Sequence, residues 1–126
     1  MSASSAARHE LSSIVDSMTE SQLDQLPHGA IQLATDGTVL KFNAYESQLA
    51  NLKKDKVVGK NFFRDVAPCT DVQELYGRFR EGVRAKKLHE TFRYHFAFRQ
   101  NARDVSVTLF YSPTTDSVWV FVKPLD

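Results

Sequence analysis

The sequence predicts an α+β domain. It has a five-stranded antiparallel sheet, helices on one face, and a short N-terminal helical cap over the other. The cap takes residues 1–28 and the core domain 29–126. Three observations predict this. Phe92, Tyr94, Phe96 and Phe98 alternate with Arg93, His95 and Arg99 at the period of a half-buried strand, and Val105, Val107 and Leu109 continue the pattern. The last run is apolar on both faces, with Val118, Val120 and Val122 on one and Trp119 and Phe121 on the other, so both sides of the sheet need cover. Leu11, Ile14, Val15 and Met18 form one apolar helical stripe, which supplies the second cover.

Composition narrows the function. With 126 residues, 42% hydrophobic and 25% charged, the chain can bury one core. A formal net charge of +1 points to no polyanionic partner, and no run is long enough to cross a bilayer. A cytoplasmic monomer with neither nucleic acid nor membrane as partner is expected. One cysteine excludes an internal disulfide and a Cys-rich zinc site, and His9, His28, His89 and His95 lack metal-ligand spacing.

In chain order, Thr19 to Gln22 has the form of a capping box for a short helix carrying Leu23 and Leu26, ended by Pro27 and Gly29. Ala30 to Leu33 and Val39 to Asn43 read as strands joined by a hairpin, for which Asp36-Gly37 supplies positive φ. Asn43 caps the following helix, and Glu46 is placed to reach back as the second half of a capping box. Leu49 and Leu52 face inward, Gly59 stops Val57-Val58, and Phe62 and Phe63 enter the core. Thr70 and Asp71, with Gln73 and Glu74 three residues later, specify the start of a long helix buried through Val72, Leu75, Phe79 and Val83. Gly77 and Gly82 imply close packing of at least one of them against the sheet. The basic residues Arg78, Arg80, Arg84, Lys86 and Lys87 lack interleaved aromatics and read as a solvated face. Residues 112–116, SPTTD, are turn chemistry before the last strand.

Cys69 lies in KNFFRDVAPCTD, residues 60–71. Pro68 fixes its own φ and holds the connection stiff, so the thiol can be aimed. A lone cysteine is most often a small buried hydrophobe. The adjacent helix start, whose free N–H groups stabilise a thiolate, favours reactivity, and position alone leaves both readings open. A phosphatase Cys-x5-Arg would need arginine where Leu75 stands, and a redox Cys-x-x-Cys would need cysteine where Val72 stands, so no enzyme is expected. Helical cap, two strands, short helices, one long helix and three strands make the plan of a PAS sensor domain.

GAIQL (29–33), VVGKNFFRDVAPCTD (57–71), LYGRFREGV (75–83) and VWVFVK (118–123) resemble the photoactive yellow protein family, and the likeness runs from about Leu23 to Lys123. The resemblance implies a blue-light photoreceptor whose chromophore, p-coumaric (4-hydroxycinnamic) acid, is joined to Cys69 as a thioester. It implies that the chromophore is a buried phenolate, hydrogen-bonded by a protonated Glu46, which displaces the capping-box reading of that residue. The backbone N–H of Cys69 would hold the thioester carbonyl. Ile31, Phe62, Val66, Ala67 and Thr70 would line the site, with Tyr94, Phe96, Phe98, Val120 and Val122 from the sheet. Light would drive trans-to-cis isomerisation, Glu46 would give up its proton, and the cap would be released as a signal to a downstream protein.

Four positions depart from the family's usual pattern. Phe42 stands where a tyrosine donates the second hydrogen bond to the phenolate, and its loss, worth about 1.5 to 3 kcal/mol, would raise the chromophore pKa by about one to two and leave a protonated, blue-shifted fraction near neutral pH. Ala50 replaces the threonine bonded to that tyrosine, and Leu52 an arginine covering the ring. Gln100 replaces a methionine that helps the thermal return, which implies slow dark recovery. The alternative function is a PAS sensor or protein-interaction module with another ligand or none, in which Cys69 is a buried thiol.

Overall fold

The computed structural model describes residues 14–50, 52–66, 73–98 and 101–125, without the side chains of residues 73, 74, 96–98 and 101–103. A helical turn at residues 14–16 is followed by α1 (Glu20–Asp24), β1 (Gly29–Ala34), β2 (Val39–Phe42) and α2 (Ala44–Ala50). A 3-10 turn (Lys54–Lys56) and two wide helical turns (Phe62–Val66 and Gln73–Gly77) lead into α3 (Arg78–Ala85). The long strands β3 (His89–Phe98), β4 (Asn101–Ser112) and β5 (Ser117–Pro124) complete the chain. The predicted start of the third helix at Thr70 and Asp71, with Val72, lies outside the described residues. From Gln73 the backbone winds as a wide turn before tightening into α3, so the expected single long helix has two pitches.

The five strands run in the order β2-β1-β5-β4-β3, every neighbour antiparallel. The first and last strands in sequence therefore meet at the centre. Strand alternation divides the apolar residues between two clusters. Ile31, Val105, Val107, Leu109, Val118, Val120 and Val122 join Phe62, Phe63, Leu75 and Phe79 in the main core beneath the helices. Ala30, Phe110 and Trp119 face the other way and pack with Val15 and Leu23 of the N-terminal segment.

Local chemistry sets the element ends. Thr19 and Gln22 close the predicted capping box on α1, Gln22 N–H to Thr19 Oγ1 at 3.1 Å and Thr19 N–H to Gln22 Oε1 at 2.9 Å. The β1–β2 turn needs positive φ at Gly37 alone (+93°). Asp36 instead accepts from Thr38 N–H at 2.9 Å, and this replaces the expectation that both residues supply left-handed backbone. The Gly82 expectation changes partner. A β-carbon there would lie 2.6 Å from Leu88, so the close approach is to the segment entering β3 and not to the sheet. Ile14 is 57% exposed, against the predicted stripe, whereas Val15 is buried. The described turn ends at Ser17, whose hydroxyl and N–H both donate back to the Ile14 carbonyl; Met18 of the same stripe packs partly buried on the cap-side cluster, and Leu11 lies outside the described residues.

Candidate functional site

Across the main face of the sheet the registers place Phe42, Ile31, Val120 and Leu109 in one row and Gly29, Val122, Val107 and Phe92 in the next. Over these rows lie α2, with Glu46, Leu49 and Ala50, and the wide turn carrying Phe62 and Val66. Ile31, Phe42, Phe62, Val120 and Val122 are buried in the main core, and Ala50, Leu52, Val66 and Tyr94 are partly buried against it. The structure thus brings together these nine predicted site residues from five separate stretches of chain. Ala67, Cys69, Thr70 and Gln100 lie outside the described residues, and of Phe96 and Phe98 only the backbone in β3 is described.

Glu46 is the chemical centre of this assembly. It lies in the first turn of α2, is 4% exposed, and its Oε1 has no hydrogen-bond partner among the described residues. Asn43 Oδ1 accepts from the Glu46 N–H at 3.0 Å, as predicted for the helix cap, but the Glu46 carboxyl does not reach back as a capping box requires. Burial alone pushes that carboxyl up to about 8, because no cation among the described residues compensates the desolvated charge. Near neutral pH it is chiefly a carboxylic acid, a hydrogen-bond donor in an apolar setting.

Gly29 makes room for this acid. A β-carbon on residue 29 would lie 2.0 Å from Glu46 Oε1. Sequence reasoning used Gly29 only to end the first helix. The usable signal was its position as an inward-facing strand residue, where glycine marks the close approach of another group. Asn43 does more than the sequence predicts for a helix cap. Beyond capping α2, its Oδ1 accepts from Ala30 N–H at 2.9 Å, and its Nδ2 donates to Leu23 O at 2.8 Å and His28 O at 3.0 Å. One amide therefore joins cap, central strand and the acid's helix.

A buried acid whose oxygen lacks a partner among the described residues, set among apolar side chains, is a hydrogen-bonding group that a bound partner can satisfy. Fold and site together define a PAS-type sensor domain. The chain matches the PAS fold family over residues 17–123. It is 46% identical to a photoactive yellow protein of Rhodothalassium salexigens, over 84% of this chain and 85% of that one, and 44% identical to one of Halochromatium salexigens, over 86% of each. The crystal structure of the photoactive yellow protein domain from the sensor histidine kinase Ppr of Rhodospirillum centenum superposes with a TM-score of 0.85 at 34% identity, over 89% of this chain and 98% of that one. The chain belongs to the photoactive yellow protein family. It is a chromophore-bearing blue-light photoreceptor and not an enzyme. Among the described residues no helix is long and apolar enough to cross a membrane.

Proposed function

We propose that the chromophore is p-coumaric acid held as a thioester by Cys69, that Glu46 is the proton donor in the dark and the proton source in the light, and that residues 1–28 are the unit released to signal. The observation that carries this reading is the buried, unpartnered Oε1 of Glu46 against Gly29. Bound there, p-coumaric acid supplies the absorption of blue light and a trans-to-cis isomerisation.

Everything else belongs to the chain. Ile31, Phe62, Val66, Val120 and Val122 exclude water from the site and keep the effective dielectric low, so that one hydrogen bond from Glu46 to a phenolate is strong. Ala67, Thr70, Tyr94, Phe96 and Phe98 complete the wall in this reading. Phe42, 2% exposed, offers no hydroxyl, which leaves Glu46 to carry the donor role that the family shares with a tyrosine. Loss of the proton from Glu46 leaves a buried carboxylate with no compensating cation among the described residues, and that state costs several kcal/mol. Because Glu46 N–H and Leu23 O meet on the same Asn43 side chain, the strain reaches the cap directly.

Addition of activated p-coumaric acid to the purified protein, with Cys69→Ala as control, tests the assignment. A blue-absorbing band that requires Cys69, bleaches under blue light and returns in the dark is expected. Equal colour or equal absence of colour in the two proteins would overturn the thioester and restore the reading of a PAS module with another ligand or none.

A further inference from the structure

The cap-side face of the sheet changes character along its length. On β5, Trp119, Phe121 and Lys123 share this face, since Val118, Val120 and Val122 point into the main core. On β4 the same alternation puts Phe110, Thr108 and Ser106 in line, and on β3 it puts Thr91 and Arg93 there. The registers turn these columns into rows. Arg93 pairs with Ser106 and Ser106 with Lys123, while Thr91 pairs with Thr108 and Thr108 with Phe121. Val15 and Leu23 of the cap bury Phe110 and Trp119 at one end. At the other end no described residue of the cap is seen on the cationic row, and both Arg93 and Lys123 are exposed.

Those two cations flank a serine hydroxyl across two strand spacings, about 10 Å, within reach of one another's long side chains. Among the described residues neither makes an ion pair, whereas the nearby Asp104 Oδ1 accepts from His95 Nδ1 at 2.7 Å and is thereby engaged. Half-buried Phe121 bridges the covered and uncovered parts, its ring 5.2 Å from Phe110 and 4.9 Å from His28. With the cap displaced, the face presents Phe110, Trp119 and Phe121 running into Arg93 and Lys123. Two cations on a chain of net charge +1 are too few to hold a polyanion, but they complement a short run of carboxylates placed beside apolar side chains.

We propose that this face is the light-gated docking surface for a signalling protein whose docking segment carries apolar side chains followed by acidic ones. It rests on the photoreceptor reading and on release of the cap. The dark state hides the apolar half and leaves only the weak cationic half; the light state joins them, and the apolar burial that held the cap becomes available to the partner.

The chromophore-loaded full chain tests this with a fluorescein-labelled peptide of about 12 residues, tryptophan and leucine in its first half and glutamates in its second. Anisotropy titrations in darkness and under blue light, with absorbance recorded on the same samples, should show binding about tenfold tighter in the light. A peptide with lysines for glutamates should not bind, and Arg93→Glu and Lys123→Glu should each weaken the light-state complex by about tenfold while bleaching and recovery stay as in the wild type. Wild type that bleaches normally yet binds equally in light and dark, or charge reversals without effect, would overturn the docking surface and leave the photoreceptor intact. Light-induced self-association that excludes the peptide would assign the face to a second copy and overturn it too. Failure to bleach at all would remove the photoreceptor reading and this proposal together.

Discussion

A methyl group on residue 29 would fall 2.0 Å from Glu46 Oε1, well inside contact distance, so the acid occupies its place only because that strand position has no side chain. Nothing among the described residues competes for the Glu46 proton, and the carboxyl stays neutral well above the usual carboxylate range. Gly29→Ala should push the carboxyl off its position and remove a charge-assisted hydrogen bond worth about 1.5 to 3 kcal/mol, raising the chromophore pKa by about one to two. An absorbance titration against pH reads this directly. A curve that coincides with wild type would mean that Glu46 does not act as the donor from where it sits. At this scale the sequence named Glu46 and Phe42 but gave Gly29 no role at the site, because a clash avoided by an absent side chain has no spacing pattern.

At the scale of elements, polar tethers fasten the described part of the cap at two points. Asp16 accepts from Trp119 Nε1 at 2.8 Å, from Thr115 Oγ1 at 3.2 Å and from the Ser112 hydroxyl, which ties it to the β4–β5 turn. At the second point Asp24 Oδ1 accepts from Ala44 N–H at 2.7 Å, and Asp24 also pairs with Lys54 at 3.2 Å. Asp16→Ala leaves three donors without this acceptor and should cost about 2 kcal/mol. Amides of α1 should then exchange faster in hydrogen-exchange measurements and Trp119 emission should move to the red, while β4 and β5 remain protected. Unchanged exchange in α1 would show that Asp16 does not hold the cap. The misassigned Ile14 has the same origin. Its place in the apolar stripe was legible, but with the Asp16 carboxylate held on Trp119 the described turn buries Val15, partly buries Met18 of that stripe and leaves Ile14 exposed. The Asp16 contacts depend on partners about a hundred residues away in sequence.

For the whole molecule, the raised acid makes stability depend on pH with a definite sign. Glu46 titrates near 4.5 in the unfolded chain and near 8 in the folded protein without chromophore, so between these values the folded state holds more protons. Its contribution is fully present below the unfolded value and is lost as pH rises through the folded one. The colourless protein should therefore lose several kcal/mol of unfolding free energy between about pH 5 and pH 8, at about 1.4 kcal/mol per pH unit. Glu46→Gln, which cannot ionise, should flatten that dependence in urea titrations. A wild-type stability that is level or rising over the window would exclude a buried neutral Glu46.

The sequence by itself determined the strand periodicity, the need for cover on both sheet faces and the Thr19–Gln22 and Asn43 caps, and with them the fold class. Each of these is a short-range pattern in which the physics acts between residues a few positions apart. Its resemblance to a family determined which residues to look for in the site. Only the tertiary structure decided that β1 and β5 lie side by side at the centre, that Gly29 backs onto Glu46, and that one Asn43 amide binds cap, strand and helix. It also decided that Arg93, Ser106 and Lys123 line up across three strands. These are contacts between segments distant in the chain, set by strand order and register, and the local sequence carries no spacing that encodes them.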